Sequence, residues 1–287
     1  MMMIAGVTVG HWTDAEAKTG CTVVLFPEGT TASAEVRGGA PASRELELLA
    51  PYRSVQHIDA VVLTGGSAFG LASADGVMRF CEEAGRGVPT PAGRVPIVPT
   101  LGLYDLAVGD ATVRPGPEAG YLAADAATAG ALETGAVGAG TGATVSKLRG
   151  LDHVKPGGIA VATTRAGDID VQAMVAVNAL GDIDVDGSGV DLGHAPENGH
   201  DNWFANTTIG VIVTNATLDK VGCLHAAQGA HDGLARAITP PHLSHDGDAF
   251  IAAATGAVEI PATVGTDLVR TLALQATMRA IRSLATL

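Results

Sequence analysis

The chain has 287 residues, enough for one large domain or two small ones; 47% are hydrophobic but only 3% aromatic, so a core must be built from Ala, Val, Leu and Ile. Lys and Arg number 17 against 30 Asp and Glu, a formal charge of −13, and no basic stripe of the kind that binds nucleic acid is present. Cys21, Cys81 and Cys223 are odd in number and far apart, against a disulfide framework or a Cys-x-x-Cys metal site. No basic segment precedes an apolar one at the amino-terminus, and no apolar run reaches the ~18 unbroken residues of a membrane span. The expectation is a cytoplasmic globular protein that binds neither membrane nor nucleic acid.

In chain order, residues 22–26 read as a strand, 27–29 as its turn, and 31–36 as the returning strand of a hairpin. Residues 44–49 read as a short helix. The apolar run 60–64 has the pattern of a buried strand, followed by a glycine-rich turn at 65–70 and a helix over 71–84. Residues 96–106 are irregular, and the alanine-rich 120–134 reads as a helix. After a glycine-rich run to Lys147, strands are expected at 158–163 and 169–180, the second long enough to be central and the first its partner. Residues 181–206 are rich in Asp, Gly, Asn and His and read as a long loop, a feature that tends to be functional or disordered. A buried strand over 207–214, a helix over 218–238, a strand at 248–254 and a helical segment from Pro261 complete the chain. Strands and helices do not alternate strictly, which favours a layered α+β fold over a dinucleotide-binding sheet.

Several motifs fail when their spacing is checked. Asp182, Asp184, Asp186 and Gly187 imitate the start of a calcium loop, but Gly193 stands at the twelfth position, where the loop needs Glu. Gly138, Gly140 and Gly142 ahead of Lys147 match neither the phosphate loop nor the dinucleotide pattern, since Ser146 precedes the lysine and Val145 stands where the third glycine belongs. The nine histidines form no HExxH, and no Gly-x-Ser-x-Gly elbow is present. Asp246 and Asp248 flank Gly247 and would share one side of an extended chain, able to orient a nucleophile or hold an amine; Asp-Gly is equally common in plain turns. Thr207 and Thr208, where the polar segment gives way to an apolar run, read either as strand starters or as a nucleophile exposed by a cut before it.

The strings Arg37-Gly-Gly-Ala-Pro41, Leu63-Thr-Gly-Gly-Ser-Ala-Phe-Gly70, Val95-Pro-Ile-Val-Pro99, Val137-Gly-Ala-Gly-Thr-Gly-Ala-Thr144, Ala176-Val-Asn-Ala179, Asn206-Thr-Thr208 and Asp246-Gly-Asp248 resemble, in this order and over nearly the whole chain, the self-processing aminopeptidases. That family includes the L-aminopeptidase/D-esterases, the β-peptidyl aminopeptidases and the nylon-oligomer (6-aminohexanoate-oligomer) hydrolases. The resemblance implies a four-layer α/β/β/α sandwich like that of the N-terminal-nucleophile hydrolases. It implies a single domain, 1–287, that cuts itself into a 1–206 and a 207–287 subunit, which assemble as homo-oligomers, typically tetramers, of processed heterodimers. It implies hydrolysis of small peptide or amide substrates with no cofactor and no metal.

Residue by residue, the resemblance places the cut between Asn206 and Thr207 and makes Thr207 the nucleophile. Lys147, Asn178, Asp246 and Asp248 fall on catalytic positions and Tyr104 on a pocket-lining one. Asn-Thr at the cut and Asp-Gly-Asp fit the nylon-oligomer hydrolase branch better than the aminopeptidase branch, which typically has Gly-Ser and Ser-x-Glu there. On this reading Asn178 and a nearby backbone N–H hold the oxyanion, and the freed α-amine of Thr207 serves as its own base. Two other readings share these residues. An ornithine-acetyltransferase-like enzyme would pass the acyl group to an amine instead of water, and a binding protein would keep the fold without turnover.

Overall fold

The computed structural model describes residues 3–148, 150–187, 206–260 and 265–286. Ten strands form two five-stranded sheets. They are β1 (Thr8–Asp14), β2 (Thr19–Leu25), β3 (Thr31–Val36), β4 (Ala42–Arg44), β5 (Ala60–Thr64), β6 (Thr100–Gly102), β7 (Gly158–Ala166), β8 (Ile169–Val177), β9 (Ile209–Ala216) and β10 (Ala249–Val258). The first sheet runs β1-β2-β5-β6-β4 and the second β7-β8-β9-β10-β3. Pairing is antiparallel except for β5 with β6 and β9 with β10. The long helices are α1 (Ser73–Glu83), α2 (Pro117–Asp125), α3 (Lys220–Ala235) and α4 (Asp267–Ser283).

Side chains on a strand alternate between its two faces, and here the alternation sorts the core into three slabs. Val61 and Leu63 of β5 meet Ile209, Val211 and Val213 of β9 and Ile251 and Ala253 of β10 between the sheets. Their neighbours Ala60 and Val62 turn outward onto Ala74, Val77 and Cys81 of α1 and Ala119 and Ala123 of α2. On the other side Ile212, Phe250, Ala252 and Ala254 face α3 and α4. The order of layers is therefore α/β/β/α, as the resemblance implies. Helix α3 presents Cys223, Ala226, Ala227, Ala230 and Leu234 to the sheet, a spacing of three and four residues that makes one stripe. Asp219 caps it, its carboxylate accepting from the Gly222 N–H at 2.7 Å. With so few aromatics the helix-facing slab is filled mainly by alanine and branched aliphatics. No helix among the described residues is long and apolar enough to cross a membrane.

Three sequence expectations need correction. Residues 22–36 are not a hairpin. Both edges of β2 are occupied, by β1 and β5, so β3 has no place beside it; the turn at 27–29 carries the chain across to the other sheet, where β3 pairs with β10. The period-2 pattern is the same for either connection. The helix expected over 120–134 ends at Asp125. Beyond it Thr128 exchanges two backbone hydrogen bonds of 3.0 Å with Val9, and this tertiary pairing overrides the helical preference of alanine. Strand β6 lies in a segment read as irregular, and β1 has no counterpart in the expected elements. Of the loop expected at 181–206, residues 188–205 lie outside the described residues, while Asp182–Ile183 pairs with Ile238–Thr239.

Leu63 is fully buried between the two sheets. Leu63→Ala should lower unfolding stability by about 2–5 kcal/mol in chemical denaturation, the range for emptying such a site.

Candidate active site

The site lies where three strands of the second sheet end together. Strand β8 runs antiparallel to β9, with Ala176 opposite Ile209, so the residue that leaves β8, Asn178, arrives next to the residues that enter β9, Thr207 and Thr208. Strand β10 runs parallel to β9, with Ile209 opposite Ala249. Its own entry, Asp246-Gly-Asp248, therefore lies alongside theirs. An isolated parallel bridge between Asn206 and Asp246 extends the pairing past the sheet.

Asn178 is fully buried and joins most of the group. Its backbone carbonyl accepts the Thr207 N–H at 2.8 Å. Its side-chain oxygen accepts Lys147 Nζ at 2.8 Å and the Thr144 N–H at 3.0 Å. Its amide nitrogen donates to the Tyr104 carbonyl at 2.8 Å, which ties in the first sheet just after β6. The neighbouring Asp105 anchors that segment by accepting Thr19 Oγ1 and the Gly66 N–H, both at 2.7 Å. Lys147 is placed by its backbone, since its N–H and that of Leu148 both donate to the Leu180 carbonyl at 3.0 Å. The lysine ammonium also reaches the Asn178 carbonyl at 3.4 Å, so Lys147 and the Thr207 nitrogen share one acceptor.

The acidic pair is held by backbone N–H groups. Asp248 Oδ1 accepts the Thr208 N–H at 2.7 Å, and Asp246 Oδ2 accepts the Leu243 N–H at 2.7 Å. Asp248 Oδ2 takes both the N–H of His242, at 3.2 Å, and its Nδ1, at 2.9 Å. The Arg37-Gly-Gly-Ala motif clasps the same loop through main-chain bonds: Ala40 N–H to Asp246 O at 2.8 Å, and Arg37 N–H and Gly38 N–H to Asp248 O at 3.0 and 3.1 Å. A Cβ at Gly38 would stand 2.3 Å from both Asp246 O and Asp248 N, so this approach requires glycine.

Burial shapes the charges. It pushes the Lys147 ammonium down to about 7, opposed by the Asp246 charge, so a large share of the lysine is neutral near physiological pH. Burial raises the Asp246 carboxyl, and the Asp248 charge adds to that; the Leu243 N–H and the charges of His242 and Lys147 work the other way. Asp246 Oδ1 is buried with no hydrogen-bond partner among the described residues.

Thr207 itself is buried, and its Oγ1 donates to the Asn206 carbonyl oxygen. That oxygen also receives the Gly247 N–H at 3.3 Å. A hydroxyl, a carbonyl polarised by a backbone donor, a partly neutral lysine and buried carboxylates are the parts of an acyl-transfer centre. A profile of peptidase family S58 matches residues 2–285. The chain belongs to that family. It is a hydrolase of peptide or linear amide bonds.

Relatives of this S58 peptidase agree. An uncharacterised aminopeptidase of Mycobacterium leprae is 44% identical, over 91% of this chain and 79% of its own. A 6-aminohexanoate-oligomer endohydrolase of a Kocuria species is 29% identical, over 91% of this chain and 76% of its own. Among solved structures, a β-aminopeptidase of a Burkholderia species superposes with a TM-score of 0.74 at 23% identity, covering 97% of this chain and 84% of that one. The L-aminopeptidase/D-Ala-esterase/amidase of Ochrobactrum anthropi, described as a variant of the N-terminal-nucleophile hydrolase fold, gives 0.74 at 18% identity, covering 97% and 83%.

The structure brings Thr207, Asn206, Lys147, Asn178, Asp246 and Asp248 together, and Tyr104 joins them through its main chain. Two participants escaped the sequence reading. One is the Gly247 N–H, since a backbone donor leaves no mark in a sequence beyond the glycine itself. The other is His242, one of nine histidines that form no recognisable motif. The Asn178 amide nitrogen, expected on an oxyanion, is directed to Tyr104. A Cβ at Gly247 would lie 2.8 Å from Thr207 Oγ1 and 3.0 Å from the Ala40 carbonyl oxygen. Gly247→Ala keeps the N–H but displaces the hydroxyl, and should lower amidase activity on the order of a hundredfold, the usual cost of ~1 Å misplacement, with little change in thermal unfolding.

Proposed function

We propose that this S58 peptidase is a self-processing amidohydrolase whose nucleophile is Thr207, freed by a cut after Asn206 that divides the chain into 1–206 and 207–287. The observation that carries this reading is the set of partners around one peptide bond. The Thr207 hydroxyl lies on the Asn206 carbonyl, the Thr207 N–H is held by Asn178 O, and Gly247 N–H is on the carbonyl oxygen. In the cut, Thr207 Oγ1 attacks the Asn206 carbonyl carbon and neutral Lys147 takes the hydroxyl proton. Negative charge develops on the oxygen that Gly247 N–H already meets; such a donor is worth about 2.7–4 kcal/mol in related chemistry. The C–N bond breaks as Lys147 returns that proton to the nitrogen, which leaves as the α-amine of Thr207, and water hydrolyses the resulting ester.

The same atoms then act on substrate. The free amine has a reference pKa of about 7.7–8.0, so near neutral pH it can accept the hydroxyl proton that an amide nitrogen cannot. Substrate acylates Thr207, its amine departs, and water releases the acid. Asp246 and Asp248 orient the threonine and its ammonium, and Tyr104 lines the pocket. The names of the relatives support substrates that carry an amine, as aminopeptidase or 6-aminohexanoate-oligomer substrates do. The processed protein is proposed to work in the cytoplasm as a homotetramer.

Intact-mass measurement of the purified wild-type protein should show two fragments, one beginning at Thr207, and Thr207→Ala should stay whole and inactive. Active protein consisting only of the uncut chain would sink the scheme. The role of Lys147 carries its own pH signature. A base works in its neutral form, so the cutting rate should rise as pH passes through about 7, where burial has placed the lysine, and level off above. Lys147→Arg, which stays charged, should slow the cut by at least about a hundredfold, read by time-resolved denaturing gels.

A further inference from the structure

His242 lies four residues before Asp246, in a segment that opens with Pro240-Pro241. Its backbone is left-handed, with φ of 54°, a conformation uncommon outside glycine that Asn, Asp and His adopt more readily than other residues. The turn folds the imidazole back onto Asp248, so that one carboxylate oxygen receives both the main-chain N–H and Nδ1 of the same residue. A carboxylate only accepts, so Nδ1 carries its proton. The opposite oxygen of Asp248 receives the Thr208 N–H, one residue from the nucleophile. Behind the imidazole lies His231 of α3, its ring edge-on at 4.9 Å between centroids. His231 is itself fixed by Phe250, at 4.9 Å, and by the Glu35 carbonyl, at 2.9 Å from Nε2. The imidazole is thus pinned from one side and engaged with the acid on the other.

We propose that His242 is a positioning residue for the reaction. Its Nδ1–H locks the Asp248 carboxylate, which in turn locks the Thr208 N–H and so aims the Thr207 hydroxyl at the Asn206 carbonyl. This rests on Thr207 being the nucleophile. Asp246 on the reaction side and His231 on α3 bear electrostatically on both members of the pair.

Two substitutions separate side chain from backbone. Asn tolerates the left-handed turn and places an amide nitrogen close to where Nδ1 stands; Gly accepts the turn and offers no donor. Full-length chains made in a cell-free system are followed on denaturing gels, with folding checked by thermal unfolding. His242→Gly should cut about 10- to 100-fold more slowly, the range for a lost hydrogen bond to a charged group. His242→Asn should return the rate to within about threefold of wild type. A folded His242→Gly chain that cuts at the wild-type rate overturns the proposal, as does a folded His242→Asn chain no better than His242→Gly. A wild-type chain that never cuts overturns the nucleophile assignment and this proposal with it, and is told apart by that control alone.

Discussion

The site hangs on one buried amide, that of Asn178. Its backbone carbonyl accepts the N–H of Thr207, its side-chain oxygen accepts from Lys147 and Thr144, and its side-chain nitrogen donates to the Tyr104 carbonyl. Thr207, Lys147 and the opposite sheet thus share a single residue, and none can shift without disturbing the others. Such a network is worth having only when satisfied, because an unpaired amide in a dry setting is costly. The strand order makes it possible. An antiparallel β8 and a parallel β10 on the two sides of β9 bring one exit and two entries to the same edge.

Two carboxylates this deeply buried need compensation, and here most of it comes from main-chain donors. Leu243, Thr208 and His242 present N–H groups to them, and the main-chain carbonyls of Asp246 and Asp248 accept from Arg37, Gly38 and Ala40. Backbone donors stabilise the ionised form without adding a full opposing charge. The charges of His242 and Lys147 bear on Asp246, and burial pushes the lysine toward its neutral form. A guanidinium packed against the acids would have stabilised them better and left no base.

Much of this was legible in the sequence, in an uneven way. The runs at 60–64, 169–180 and 207–214 announce buried strands because most of their residues are apolar, and the ordered glycine strings point to a family in which the positions matched by Thr207, Lys147, Asn178 and the Asp pair have roles. Long-range pairing was not legible. Residues 31–36 carry the same alternation whether they return beside β2 or cross to β10, and only the occupancy of both β2 edges decides. The alanines after Asp125 favour a helix locally, and Thr128 is taken instead by Val9. The roles of Gly247 and His242 depend on a backbone N–H and on a left-handed turn, neither of which composition or spacing reveals. Nor does the sequence show that Gly38 lies against the main chain of Asp246 and Asp248.

The order of strands in the second sheet has a mechanical consequence. A chain opened before Thr207 would contribute β9 and β10 from its second piece, and these lie between β7 and β8 on one side and β3 on the other, all from the first. Helices α3 and α4 of the second piece cover the outer face of that mixed sheet. The first piece holds the first sheet whole, but the second sheet and the cores on both of its faces draw on both pieces. Dissociation would tear hydrogen-bonded ladders along both flanks of a two-strand insert, so the fragments are less like subunits that meet at a surface than like interleaved fingers. The covalent link between them can be spent as a reagent because the fold does not rely on it for cohesion.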